Sequence, residues 1–104
     1  MREPTYFILA ALQDEPAHGY AIMSRVAALS GDRVRLATGT LYQALDRLTR
    51  EALIEVVREE VVNGRARRHY ALTPDGRSAL QAEAARMAAA ARVVLRPRVA
   101  GGAA

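Results

Sequence analysis

The 104-residue sequence predicts a mainly α fold with one small β-hairpin and a long C-terminal helix. Three observations carry that expectation. Leu41, Leu45 and Leu48 recur at spacings of four and three, which places them on one helix face. Asn63-Gly64 is a strong turn dipeptide between a stretch rich in β-branched residues and an alternating one. Thr73-Pro74-Asp75 combines a capping side chain, a proline for the first helical position and an acid for the positive end of the helix dipole. An Ala-rich run follows, and Ala is the best helix former.

Taken in order, Pro4 and Thr5 open a first short helix that continues through Tyr6, Phe7, Ile8, Leu9, Ala11 and Leu12 and breaks at Asp14-Glu15-Pro16. His18 and Gly19 precede a second helix, with Ile22, Val26 and Leu29 on one face; Ser30-Gly31-Asp32 end it. Val34 and Leu36 alternate with Arg33 and Arg35 in a short, strand-like link. Thr38 stands where an N-cap belongs, ahead of a third helix over about 38 to 52. Its leucines turn inward and leave Thr40, Gln43, Arg47 and Arg50 outside. A hairpin spans Leu53 to Val62 and Arg68 to Leu72, with Tyr70 and Leu72 on one side. The fourth helix reaches about Arg96, where Pro97 stops it, and Gly101-Gly102 mark a loose tail.

All 15 basic residues are Arg, set against 11 acids, for a net charge of +4. Arg presents a planar fork that suits phosphate and guanine, although a GC-rich coding genome also produces Arg and Ala excess. The distribution is more telling than the sum: residues 61 to 73 carry Arg65, Arg67 and Arg68 and no acid. Arg92, Arg96 and Arg98 near the last helix end are explained equally by the dipole and a solvated tail. The absence of Cys excludes disulfide scaffolds, thiolate zinc sites and cysteine nucleophiles. Two His residues without carboxylates at ligand spacing do not suggest a metal, and His18 reads as a cap or buttress of the second helix, with contact to a nucleic-acid backbone as the lesser reading. Ser24, Ser30 and Ser78 lack a nucleophile-elbow context, so no catalytic residues, no cofactor and no enzyme are expected. No apolar stretch is long enough to span a bilayer and no signal peptide is visible, so the expected setting is the cytoplasm, away from membranes.

Three helices, a hairpin and a long helix form the layout of a winged helix-turn-helix, in which the third helix enters a DNA groove and the hairpin is the wing. The segments Thr5-Tyr6-Phe7-Ile8-Leu9, His18-Gly19-Tyr20-Ala21-Ile22, Gly39-Thr40-Leu41-Tyr42 and Arg67-Arg68-His69-Tyr70-Ala71-Leu72-Thr73-Pro74-Asp75-Gly76-Arg77 resemble, in order, the motifs of the PadR family of bacterial transcriptional regulators. Two positions depart from the family pattern: Ala52 where Gly is favoured and Gln43 where Pro is frequent. If residue 52 adopts the left-handed conformation common after a helix, Ala is strained there.

The resemblance implies a winged helix-turn-helix DNA-binding domain over 1-73, a C-terminal dimerisation helix over 74-97 and a flexible tail over 98-104. It implies a homodimeric repressor on a double-stranded, pseudo-palindromic operator, together with a small hydrophobic effector seated in a gap between subunits. Candidate DNA contacts are Thr38, Gly39, Thr40, Tyr42, Gln43 and Arg47 on the third helix and Arg65 and Arg67 on the wing. Gln43 would face an adenine edge, Arg47 guanine or phosphate, and the hydroxyls the backbone. The plainer readings are a capping role for Thr38 and a partly core role for Tyr42. Arg68 shares the parity of Tyr70 and is expected to pack in part. Leu80, Ala84, Met87, Ala91 and Val94 form the candidate dimer seam on a rod of about 33 Å. The competing reading is a winged-helix adaptor that binds protein instead of DNA.

Overall fold

The computed structural model describes residues 1–97, so the expected tail at 98-104, including Arg98, lies outside the described residues. The elements are α1 (Glu3–Ala11), β1 (Ala17–His18), α2 (Gly19–Leu29), α3 (Thr38–Arg50), β2 (Ile54–Val62), β3 (Arg65–Leu72) and α4 (Pro74–Leu95). The strands form one antiparallel sheet in the order β1-β3-β2. This is the expected architecture, with one strand added. No helix among the described residues is long and apolar enough to cross a membrane.

One apolar cluster holds the body together. Ile8, Leu9 and Leu12 from the first segment meet Ile22 and Val26 of α2, all three α3 leucines, and Ile54, Tyr70 and Leu80. The α3 leucines are fully shielded from solvent. Burying each contributes about 1.5–3 kcal/mol, and truncation to Ala costs about 2–5 kcal/mol. Leu29, expected on the same face as Ile22 and Val26, is half exposed because α2 is already ending there. The 33–36 link pairs with no strand: Val34 is buried, the two arginines are exposed, but the segment is irregular. Instead, Ser30 Oγ accepts from the Val34 amide at 3.0 Å and holds the link against the end of α2.

Both helices of the helix-turn-helix end in a left-handed residue with paired closing bonds. After α2, the Asp32 amide donates to the Ala27 carbonyl and Gly31 takes φ +61°. After α3, the Leu53 amide donates to Leu48 and the Ala52 amide to Thr49, while Ala52 takes φ +59°. The conformation that makes Ala unfavourable at residue 52 is thus the one it adopts.

Thr73 fastens α4 to this corner. Its hydroxyl accepts from the Gly76 amide at 3.0 Å and donates to the Ala52 carbonyl at 2.6 Å, while its own amide donates to Leu53. Gly76 is required by close approach, since a Cβ there would stand 1.8 Å from the Leu53 carbonyl oxygen. Past this anchor, α4 leaves the body. Leu80 is buried in the core of the body, which removes it from the expected dimer seam, Ala84 is half-buried, and every described residue from 85 onward is exposed, Val93, Val94 and Leu95 included.

Candidate nucleic-acid interface

The cap of α3 is Ala37, in extended conformation and with no side-chain capping bond; Thr38 is the first helical residue. This corrects the expected N-cap. The first intrahelical bond runs from the Leu41 amide to Ala37, so the amides of Thr38, Gly39 and Thr40 have no partner within the helix. All three residues are exposed, and a Cβ on Gly39 would meet nothing within 4 Å. Gln43 and Arg50 continue the outer face.

Tyr42 and Arg47 depart from that face in opposite directions. The Tyr42 ring lies over Gly19, where a Cβ would come within 2.5 Å of the hydroxyl. Its ring is therefore a packing element of the α2–α3 junction as well as a surface group. Arg47 reaches back to α1, donating to Thr5 Oγ1 at 2.9 Å and to Glu51 at 3.2 Å. The structure brings Tyr42, Arg65 and Arg67 to one groove and leaves Arg47 on the far side of α3.

The hairpin turns at Asn63 and Gly64, with φ +52° and +76°, the pair of left-handed residues that a tight two-residue turn needs. Val57 bulges out, because Val56 pairs with Tyr70 and Arg58 with His69. Val62 then faces Arg65, and Glu60 faces Arg67. Arg68 keeps the parity of Tyr70 and packs in part beside it, edging a pocket with Tyr70 and Val56, while its exposed guanidinium donates to Glu59 at 3.3 Å. Arg58 lies 4.0 Å from Glu60. Among the described residues, no carboxylate lies within 4.0 Å of Arg65 or Arg67.

Those two cations edge an open groove of about 490 Å³ between the hairpin, α3 and the start of α2, which His18, Gly19, Tyr20 and Tyr42 complete. Tyr20, 76% exposed, was not among the sequence-derived DNA contacts, and His18 was there only as the lesser reading beside its capping role. For Tyr20 a signal was present: it is an aromatic residue at a helix start, off the Ile22/Val26 face. His18 caps α2, accepting from the Ala21 amide at Nδ1 over 3.4 Å, as the sequence suggested. Its ring meets that of His69 edge-on at 5.4 Å, opposite it in the β1–β3 register. Burial, with Arg67 and His69 nearby, holds the His18 pKa below its ordinary value. His69 Nε2 lies 2.9 Å from Glu60, and the hydrogen bond to that carboxylate, foremost, holds the Glu60 pKa low.

Helix-turn-helix, hairpin wing and projecting terminal helix together define a winged-helix regulator. The chain matches the transcriptional regulator PadR-like family over residues 8–82 and belongs to it. It is 40% identical over 88 residues to Transcriptional regulator Rv3488 of Mycobacterium tuberculosis, covering 85% of this chain and 78% of that protein. It is 44% identical over 81 residues to an uncharacterized 37.1 kDa protein in transposon TN4556 of Streptomyces fradiae, covering 78% of this chain but 22% of that protein's length. Bacillus subtilis PadR, solved in complex with operator DNA, shares the fold with a TM-score of 0.68 at 23% identity, over 94% of this chain and 51% of that one.

Proposed function

We propose that the protein is a cytoplasmic, homodimeric DNA-binding repressor that reads a pseudo-palindromic operator, residues 1-73 serving as the reader and 74-97 as the dimerisation helix. The observation that carries the reading is the pair Arg65 and Arg67, with no carboxylate within 4.0 Å among the described residues, on the same groove as Tyr42 at the open start of α3. Family membership and the shared fold of a protein solved on operator DNA support it. In this account the exposed Gly39, Thr40 and Gln43 enter a major groove, and Thr38 and Tyr42 reach the sugar-phosphate backbone. Arg65 and Arg67 neutralise flanking phosphates or enter the minor groove. Arg47 reaches DNA only by giving up Thr5, so it is assigned to phosphate at the edge of the footprint.

The exposed second half of α4 supports pairing with another copy. Ala84, Met87, Ala91 and Val94 continue along one stripe, whereas Leu80 is committed to its own subunit. A two-fold pair would place two α3 helices about one DNA turn apart. Small side chains along the stripe leave room between subunits, and that gap is where a hydrophobic effector would bind and shift the dimer geometry.

Fluorescence anisotropy on a duplex from the protein's own upstream region, against a scrambled duplex, tests the reading. Sequence preference that weakens steeply with salt is expected; binding indifferent to both sequence and salt would overturn it. Val94→Glu tests the dimer. Because Val94 is 81% exposed, the subunit should stay folded while light scattering shows a monomer and duplex affinity collapses.

A further inference from the structure

We propose that a phosphate seated in the groove between the hairpin and α2 is taken up together with a proton on His18, so that duplex affinity rises as pH falls. The inference rests on the DNA-binding reading above. His18 lines the groove with Arg65 and Arg67, neither of which has a carboxylate within 4.0 Å among the described residues, although Glu60 stands opposite Arg67 in the strand register. In the free protein the balance is against a proton on its imidazole, with burial, Arg67, His69 and Arg25 opposing it and Glu60 favouring it. The groups facing it are Arg67 and His69 from β3, Arg25 from its own helix and Glu60 from β2, and only Glu60 is an acid. That carboxylate is already engaged by His69 Nε2 at 2.9 Å and approached by Arg58 at 4.0 Å.

Neutral His18 accepts the Ala21 amide at Nδ1, so its other nitrogen, Nε2, carries the hydrogen. A phosphate entering the groove reverses the balance. It supplies the missing anion, and it offsets the positive charge of Arg67. The proton comes from solvent and lands on Nδ1, ending a capping bond that is long at 3.4 Å. The imidazolium then donates to the phosphate in the groove. Reciprocity makes the effect measurable from either side: phosphate raises the proton affinity of His18, and a proton on His18 raises the affinity for phosphate.

Because this contact is independent of sequence, the test uses a fluorescein-labelled duplex of arbitrary sequence, about 30 bp long so that it spans both half-sites, at low salt. Affinity of the wild type should rise severalfold between about pH 7.5 and about pH 5.5, the window in which a histidine changes charge. His18→Asn retains a side chain that caps helices well, so superimposable melting curves at about pH 7.5, where His18 is neutral in both folded and unfolded chains, would show the fold intact. Its affinity should be nearly flat over the same window, and in the wild type the His18 ring resonance should titrate at higher pH once duplex is added. An equal pH slope in wild type and His18→Asn, or a His18 titration unmoved by duplex, overturns the proposal while leaving DNA binding intact. Failure of both proteins to bind duplex at any pH overturns the DNA-binding reading and this inference with it.

Discussion

Arg58 and Arg68 share two strands with Arg65 and Arg67, yet the two pairs have different surroundings. The first pair lies toward the base of the hairpin, beside Glu60 at 4.0 Å and Glu59 at 3.3 Å. The second pair lies toward the turn, with no carboxylate within 4.0 Å among the described residues, on a groove shared with Tyr20 and Tyr42. A count of arginines would treat all four as one basic patch. Partners divide them: each base cation has a carboxylate within 4.0 Å in exposed pairs, and the tip cations have none at that distance among the described residues. The same division runs along α3, where Arg47 is tied to Thr5 and Glu51 while the amides at the helix start have no partner among the described residues.

The largest effect expected from this contrast comes from removing the tip pair. Arg65→Ala with Arg67→Ala should lower duplex affinity roughly 10- to 100-fold and flatten its salt dependence by about one unit per arginine removed. Arg58→Ala with Arg68→Ala should cost less than about threefold. Equal losses in the two double variants, read by anisotropy under salt titration, would break the contrast. Glu59→Gln sharpens it from the other side: with its carboxylate partner gone, Arg68 becomes a third uncompensated cation, and affinity should rise by roughly two- to fivefold.

Gly39→Ala separates contact from stability at the start of α3. The site has open space around it, so helix propensity should raise stability by up to about 1 kcal/mol in a denaturant melt. Duplex affinity should fall all the same, by roughly three- to tenfold, if the DNA backbone approaches there as it would a helix N-terminus. The smallest effect is a pH dependence of the free protein. The folded-state pKa of His18 lies below its ordinary value, so protonation favours the unfolded chain. Its contribution to stability is present above about pH 6.5 and is lost as pH falls through the lower folded value. Melting temperatures of the wild type should therefore drop more than those of His18→Asn on acidification. This runs opposite to the rise expected for duplex affinity.

How much of this was legible in the sequence follows from how local each cause is. The α3 leucines, the Asn63-Gly64 turn and the Thr73-Pro74 start depend on residues a few positions apart, and each stands where the pattern put it. The strain at Ala52 could be anticipated because the helix end itself demands a left-handed residue. β1 could not, since Ala17 and His18 carry no strand pattern and become a strand only by meeting Tyr70 and His69. Thr38 was assigned one position too early in its role, because a threonine ahead of a helical run looks the same whether it caps the helix or begins it.

The candidate site was legible as a set of residues but not as a geometry. Sequence placed Arg65, Arg67 and Tyr42 among the contacts, yet the bond from Arg47 to Thr5 joins positions too far apart for any periodicity to reveal. The bulge at Val57 was equally invisible to periodicity; it offsets the β2 partners of β3, so that Glu59 stands opposite Arg68 and Glu60 opposite Arg67. Tyr20 and His18 entered the groove only when β1 brought the start of α2 beside the wing.

The central claim is that two copies present α3 and the hairpin tip to one operator. Hydroxyl-radical footprinting of the protein on its own upstream region tests it most directly. The account predicts two protected patches related by two-fold symmetry, centred about one helical turn apart, with flanking protection that disappears in the Arg65→Ala, Arg67→Ala protein. A single patch, uniform protection along the duplex, or flanks that persist without those two arginines would contradict it.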